Sequence, residues 1–213
     1  GVDLAARESA TIGGMVATNA GGERVLRHGP MADQIIGVEA VLGDGTRVGR
    51  VPALRKDNAG YHWAGILAGS EGTLAVITAV HLRLLPKLPA RVVALIALDD
   101  IDAALALSGR LRRELPELVA LEVGFADGIA LVTAHTGLPE PFDPPAPVVL
   151  LAEVTGRAGE TDALLARLGG LLDAAAEVRG TAVATDAAGC ARLWRYREAH
   201  AEACSCVALE ALG

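Results

Sequence analysis

The sequence predicts an α+β fold in two successive parts, residues 1–88 and 89–213. Two glycine-rich polar segments, Thr11–Gly22 and Gly69–Thr73, are confined to the first part and interleave with strand-like runs. Pro86 and Pro89 punctuate the chain where the last of those runs ends. Beyond them, apolar strands alternate with amphipathic helices, the pattern of helices laid on one face of an antiparallel sheet.

The first glycine-rich segment reads Thr11-Ile-Gly-Gly-Met-Val-Ala-Thr-Asn-Ala-Gly-Gly22, a composition expected to add nothing to a core. Glycine lacks Cβ and permits φ > 0, so the N–H groups of Gly13, Gly14, Gly21 and Gly22 can turn inward on something flat and anionic. Thr11, Thr18 and Asn19 would add side-chain donors and acceptors along the same path. A pair of ordinary turns meets the same composition, and the residues alone leave both readings open. Arg24 to Pro30 reads as a polar connection. Ile35–Leu42 is β-branched and strand-like, Gly43-Asp44-Gly45 signals a hairpin, and Thr46–Val51 returns. The segment from Arg55 to Trp63 gathers Tyr61 and Trp63, scarce aromatics that either line a site or plug a gap. Ala64–Ala68 is a helical turn. Leu74–Leu85 is a strand with Leu74, Val76, Thr78, Val80, Leu82 and Leu84 on one face, and with His81 facing solvent.

Composition limits the function classes. Hydrophobic residues make up 52% of the 213 positions but aromatics only 3%, so the core must be built of Ala, Val, Leu and Ile. A formal charge of −7 and no basic run exclude a nucleic-acid surface. Cys190, Cys204 and Cys206 are odd in number and lack metal-ligand spacing, which fits a reduced, cytoplasmic protein, peripheral to a membrane at most. No apolar run reaches the ~18 residues of a membrane span. No site for a metal is expected in this chain.

Four blocks together resemble one family: Thr11 to Gly22, Val41-Leu-Gly-Asp-Gly-Thr46, Leu54-Arg-Lys-Asp-Asn-Ala-Gly-Tyr61, and Gly69-Ser-Glu-Gly-Thr-Leu74 with Ile77-Thr78. In this order they are similar to the FAD-binding domain (PCMH type) of the vanillyl-alcohol-oxidase superfamily. Within it they most resemble the D-lactate dehydrogenase, glycolate oxidase subunit and D-2-hydroxyglutarate dehydrogenase group. The resemblance implies the second subdomain of that FAD-binding domain, followed by part of a ferredoxin-like α+β substrate cap. It implies non-covalent FAD, with Thr11, Gly13, Gly14, Thr18, Asn19, Gly21 and Gly22 along the flavin and its diphosphate. Glu71, Gly72 and the backbone of Ile77 would lie against the cofactor. Ala75 stands where the family usually has Gly. The family's first FAD subdomain and its metal-binding His segment, with a divalent metal such as zinc, have no counterpart here, so the chain is expected to be an internal piece.

In the second part, Arg91–Leu98 is a strand. A helix from about Asp99 to Leu115 is capped by Asp99 or Asp100 and carries Ile101, Ala104, Leu105, Ser108, Leu111 and Leu115 on one face. Leu118–Phe125 and Ile129–His135 read as two strands around Asp127-Gly128. Pro139–Pro147 is an extended loop, Val148–Thr155 a strand, Glu160–Val178 a helix and Ala182–Thr185 a short strand. A final helix from Asp186 to Cys204 aligns Cys190, Leu193, Trp194, Ala201 and Cys204, with Arg197 in mid-stripe. An arginine there calls either for an anion to meet it or for a stem packed on Trp194 with its head in water. Leu193-Trp194-Arg195-Tyr196-Arg197-Glu198 resembles the family's Leu-Trp-x-x-Arg-Glu block, which implies that Arg197 binds the substrate carboxylate; Ala201 stands where the family often has Thr.

The implied reaction is oxidation of a small 2-hydroxy acid of D configuration to the 2-oxo acid by hydride transfer to flavin, with an electron acceptor of unknown identity. The resemblance puts the catalytic base outside this chain; His28, His62 and His135 qualify by residue type only. Oligomeric state is open. Two other classes stand beside this reading: a flavin oxidase for an alditol or an alkyl-glycerone-phosphate synthase relative, and a non-catalytic module.

Overall fold

The computed structural model describes residues 1–51 and 59–210. They form two compact units, Gly1–Pro86 and Lys87–Gly213. In the first unit β1 (Ile35–Leu42) is the middle strand of a three-stranded antiparallel sheet, flanked by β2 (Arg47–Arg50) and β3 (Ala75–Leu82). The β1–β2 turn is closed by the Asp44 carboxylate, which accepts the Thr46 N–H at 2.9 Å. Among the described residues the unit also has short α-helices α1 (Ile12–Ala17), α2 (Val25–His28) and α3 (Trp63–Leu67) and a 3-10 turn at Met31–Gln34.

Several expectations fail here for local reasons. The glycine-rich segment does contribute to the core, because Thr11 caps a helix and Val16 within it is fully buried beside Met31, Val38 and Leu67. The connection after Gly22 likewise contains a helical turn, α2. The simple alternation along β3 is broken by a bulge: Glu39 pairs with Ala79, but Ala40 pairs with Ile77. Thr78 is the extra residue, its hydroxyl donating to the Glu39 carbonyl at 3.2 Å. One inserted residue flips the phase of every side chain beyond it. Ala75 and Ile77 therefore face the core before the bulge and Val80 and Leu82 after it, while Leu74 and Val76 are exposed. His81 is half-buried.

The second unit is a four-stranded antiparallel sheet in the order β5-β6-β4-β7, formed by β4 (Ala90–Leu98), β5 (Leu118–Phe125), β6 (Val148–Gly156) and β7 (Gly180–Ala184). This is the strand order of a ferredoxin-like fold. The central strands are apolar on both faces, and all nine residues of β6 are buried. Such strands need cover on both sides, and they have it. Val92, Ala94, Ile96 and Leu98 meet α4 (Ile101–Glu114) and α6 (Thr161–Asp173) on one face. Val93 and Leu95 meet α5 (Ala126–Thr136) and α7 (Ala187–Glu198) on the other. The expected one-sided arrangement is thus corrected.

The error came from α5. Ile129 to His135 is a helix, not a strand: Ile129 and Val132, one turn apart, are its buried residues, and Gly137 ends it in the left-handed conformation at φ 71°. A short apolar run does not distinguish strand from helix by periodicity. The last helix is also two. α7 stops at Glu198 and α8 (His200–Glu210) follows, so the stripe of Cys190, Leu193 and Trp194 does not continue through the exposed Ala201 and Cys204. On α4, capped by Asp100 through the Ala103 N–H at 2.8 Å, the buried face is Ala104, Leu107 and Leu111. Leu105 lies 64% exposed. Replacing fully buried Leu107 by Ala is therefore expected to cost ~2–5 kcal/mol in urea denaturation. The Leu105→Ala change should stay within about 0.5 kcal/mol of wild type.

Candidate functional site

In the first unit the two glycine-rich segments are stitched together by the end of α1. The Val16 carbonyl accepts the Gly69 N–H at 3.1 Å and the Ala17 carbonyl accepts the Glu71 N–H at 2.8 Å. Thr11 and Thr18 spend their hydroxyls on the helix itself: Thr11 Oγ1 accepts from Gly14 N at 3.1 Å and Thr18 Oγ1 donates to the Gly14 carbonyl at 3.0 Å. Asn19 and Glu71 are the only non-glycine residues with positive φ among the described residues, at 48° and 51°, and Gly72 follows at 76°. Asn19 is held there by its Oδ1, which accepts the Ala32 N–H at 2.8 Å. Gly13 lies beside β3, since a Cβ on it would be 3.9 Å from the Ile77 carbonyl. Gly13, Thr18, Asn19, Glu71, Gly72 and Ile77 thus share one neighbourhood.

Gly21 and Gly22 lie against their own surroundings in the chain. A Cβ on Gly22 would collide with the Asp3 backbone, and Glu23 N donates to the Asp3 carbonyl at 2.8 Å. Gly22 thus lets the N-terminal segment pack, while a Cβ on Gly21 would lie 3.3 Å from Val25 Cγ2. What remains open to a ligand is the first turn of α1, whose Ile12 and Gly13 N–H groups have no helical partner; Leu74 and Val76, out of phase with core-facing Ala75 and Ile77, are exposed, and the buried Ser70 Oγ has no hydrogen-bond partner among the described residues. Tyr61 and Trp63 pack edge to face at 6.2 Å beside a cavity of about 450 Å³. The preceding Leu54–Asn58 part of that block lies outside the described residues.

In the second unit a cavity of about 750 Å³ opens on the α5/α7 face of the sheet, close to the β5 edge. Arg197 lines it from α7 and Glu122 from β5, with Arg197 Nε donating to Glu122 Oε2 at 3.2 Å. The two Nη groups of Arg197 have no protein partner among the described residues. His200 and Cys204 of α8 complete that side, with Cys204 Sγ 3.6 Å from His200 Nδ1. One turn before Arg197, Trp194 is buried, and its indole Nε1 donates to Glu153 Oε2 at 2.7 Å. Arg91 Nη2 donates to the same oxygen at 2.6 Å. Tyr196 OH donates to the Pro139 carbonyl at 2.7 Å, and burial pushes its phenol pKa up.

Sequence reasoning pointed to Arg197 but missed Glu122, Glu153, Arg91 and His200. Glu153 was detectable, as the one charged residue within the apolar run of β6. The histidines proposed by type are scattered. Burial and then the neighbouring Arg27 push the His28 imidazole pKa down, His62 precedes α3, and His135 Nε2 lies 3.4 Å from Glu202. No group of three His, Cys, Asp or Glu side chains is arranged to hold a metal ion among the described residues. Nor is any described helix long and apolar enough to cross a membrane.

Two titrations follow from α7. Asp186 caps it by accepting the Gly189 N–H at 2.9 Å, and that bond holds the carboxyl below its usual value. Its contribution is complete above the ordinary carboxylate pKa of about 3.9 and is lost as pH falls through the lower folded value. Melting curves across acid pH should show a shallower loss for Asp186→Asn, which caps without titrating. Burial raises the pKa of the Cys190 thiol, whereas Cys204 is exposed. At pH 8 a disulfide reagent should label Cys204 in the native protein and reach Cys190 only after denaturant is added.

Residues 1–49 match the family model described as FAD binding domain, and residues 87–212 the model described as FAD linked oxidases, C-terminal domain. The mitochondrial D-2-hydroxyglutarate dehydrogenase of Rattus norvegicus is 38% identical over 207 residues, 96% of this chain and 38% of that protein. Its Bos taurus counterpart is 39% identical over 207 residues, with the same coverage. The D-2-hydroxyglutarate dehydrogenase of Xanthomonas citri pv. viticola is 34% identical over 203 residues, 95% of this chain and 42% of that protein. The chain therefore spans about two-fifths of the length of these curated relatives. A solved alkyldihydroxyacetonephosphate synthase shares the fold at a TM-score of 0.64 and 19% identity, covering 92% of this chain and 39% of its own. On the match over 87–212, more than half of its length, this chain belongs to the FAD-linked oxidase family.

Proposed function

We propose that this chain is the portion of a FAD-dependent dehydrogenase that lines one side of the cofactor and receives the substrate carboxylate, in an enzyme oxidising a D-2-hydroxy acid to the 2-oxo acid. The observation that carries the reading is Arg197. Its Nε is tied to Glu122 while both Nη groups lie unengaged at the wall of an otherwise largely apolar cavity. A guanidinium held by one edge has its orientation set before the ligand arrives, and orientation is what a carboxylate clamp contributes to rate. The names of the relatives support the substrate class.

The first unit fits a flat, anionic cofactor at the neighbourhood of Gly13, Gly14, Thr18, Asn19, Glu71, Gly72 and Ile77. The first-turn N–H groups of α1, which have no helical partner, are what such a group would meet. Thr11 supports the turn from below as its cap, and Gly21 and Gly22 follow along the same path, Gly22 packed on Asp3. FAD, when bound, supplies the two-electron acceptor. The protein's part is to hold the substrate's carboxylate at Arg197. The proton acceptor is assigned to none of His28, His62 and His135. Three unpaired cysteines suit a reducing compartment, cytoplasmic or, as the names of the animal relatives specify for those proteins, mitochondrial.

Titration calorimetry of the chain with a D-2-hydroxy acid tests the clamp. Arg197→Ala is expected to weaken binding about tenfold or more, and Arg197→Lys to recover part of it, since a point charge cannot reproduce the fork. Equal affinity for wild type and the Ala variant would sink the reading.

A further inference from the structure

All nine positions of β6 are buried, and Glu153 is the one charged side chain among them, 1% exposed between Val93 of β4 and Ala120 of β5. By alternation it shares its face with Val149 and Leu151, the face that α7 covers and on which the Arg197 cavity opens. Well-packed hydrophobic residues in place of a buried ion pair are often as stable or more so, so stability does not explain the carboxylate. Direction does.

Glu153 Oε2 accepts Arg91 Nη2 from β4 at 2.6 Å and the Trp194 indole N–H from α7 at 2.7 Å. Two adjoining strands therefore set the place of the oxygen that α7 must meet. Apolar contact is non-directional and lets a helix roll on a sheet, whereas a short charge-assisted hydrogen bond admits a narrow range of angles. Trp194 and Arg197 are three residues apart, neighbours on the surface of α7. A roll of about 20° would move a group about 6 Å from the helix axis by about 2 Å. That is enough to break the 3.2 Å bond from Arg197 Nε to Glu122 Oε2. The other side-chain ties of α7 lie elsewhere: Asp186 and Cys190 fix its first turns, and Tyr196 OH reaches the Pro139 carbonyl on a loop.

We infer that Glu153 is a positioning residue: through Trp194 it fixes the roll of α7, and with it the direction in which Arg197 presents its guanidinium. The bearing of this on catalysis rests on the reading that Arg197 receives the substrate's carboxylate. The positioning itself is measured without a ligand.

In a nitrogen–proton correlation spectrum of the whole chain, the Nε–H signal of Arg197 is identified by its loss in Arg197→Lys. Trp194→Phe keeps an aromatic ring and the Arg91–Glu153 pair but removes the indole donor. It is expected to shift that signal and speed its exchange with solvent about tenfold. The double variant Arg91→Leu/Glu153→Leu, with Trp194 intact and no charge left unpaired, should stay folded and do the same. Glu153→Gln, which keeps an acceptor oxygen, should fall between it and wild type, and Tyr196→Phe should leave the signal near its wild-type place. A signal unmoved in both Trp194→Phe and the double variant, or moved more by Tyr196→Phe, overturns the positioning. Calorimetry with D-2-hydroxyglutarate judges the clamp separately. Trp194→Phe should weaken binding about threefold and Arg197→Ala about tenfold or more. If the signal moves as expected but Arg197→Ala leaves binding unchanged, the clamp falls and the positioning stands. If Arg197→Ala weakens binding but the signal never moves, the clamp stands and the positioning falls.

Discussion

A buried carboxylate organises the second unit. Glu153 is 1% exposed in the middle of β6, and its Oε2 is met by Arg91 from β4 and by the Trp194 indole from α7. Leaving one such charge unpaired costs several kcal/mol, so the three groups must assemble together or not at all. The consequence for function is positional. Trp194 is pinned to the sheet, and Arg197, one helical turn later, is thereby presented beside Glu122 rather than on a helix free to roll.

The same face of the sheet explains why a cavity exists there. On the α4/α6 face, leucines from both helices close over β4 and β6 without interruption. On the other face α8 packs on α5 through Val132, Ala199 and Ala203. The space left over is walled by strand residues below and by α5, α7 and α8 around. Surface ion pairs such as Arg167 with Glu117 and Arg179 with Asp99 tie helix and strand ends together, but exposed pairs contribute little next to the core.

In the first unit the constraint is backbone strain. Asn19 and Glu71 hold left-handed conformations that cost a non-glycine residue about 1–2 kcal/mol each, and each is tied by a hydrogen bond, Asn19 to Ala32 and Glu71 to Ala17. Strain retained in two adjoining loops marks them as a place where shape matters more than local comfort.

Much of this protein was legible in its residues, because local chemistry acts over a few positions. The β-branched run of β1, the Asp44 turn, the Asp100 and Asp186 caps and the leucine spacing of α6 each follow from neighbours within one or two turns of chain. The sequence by itself determined the α+β class and the family resemblance, and that resemblance singled out Arg197. Tertiary structure alone decided the rest. Whether Ile129–His135 became strand or helix depended on which face of the sheet needed cover, and the phase of β3 depended on a bulge opposite Glu39. The partner of Arg197 turned out to be Glu122, 75 residues away on a strand whose place in the sheet only folding sets. Pairings across that distance arise from packing, which no run of neighbouring residues encodes.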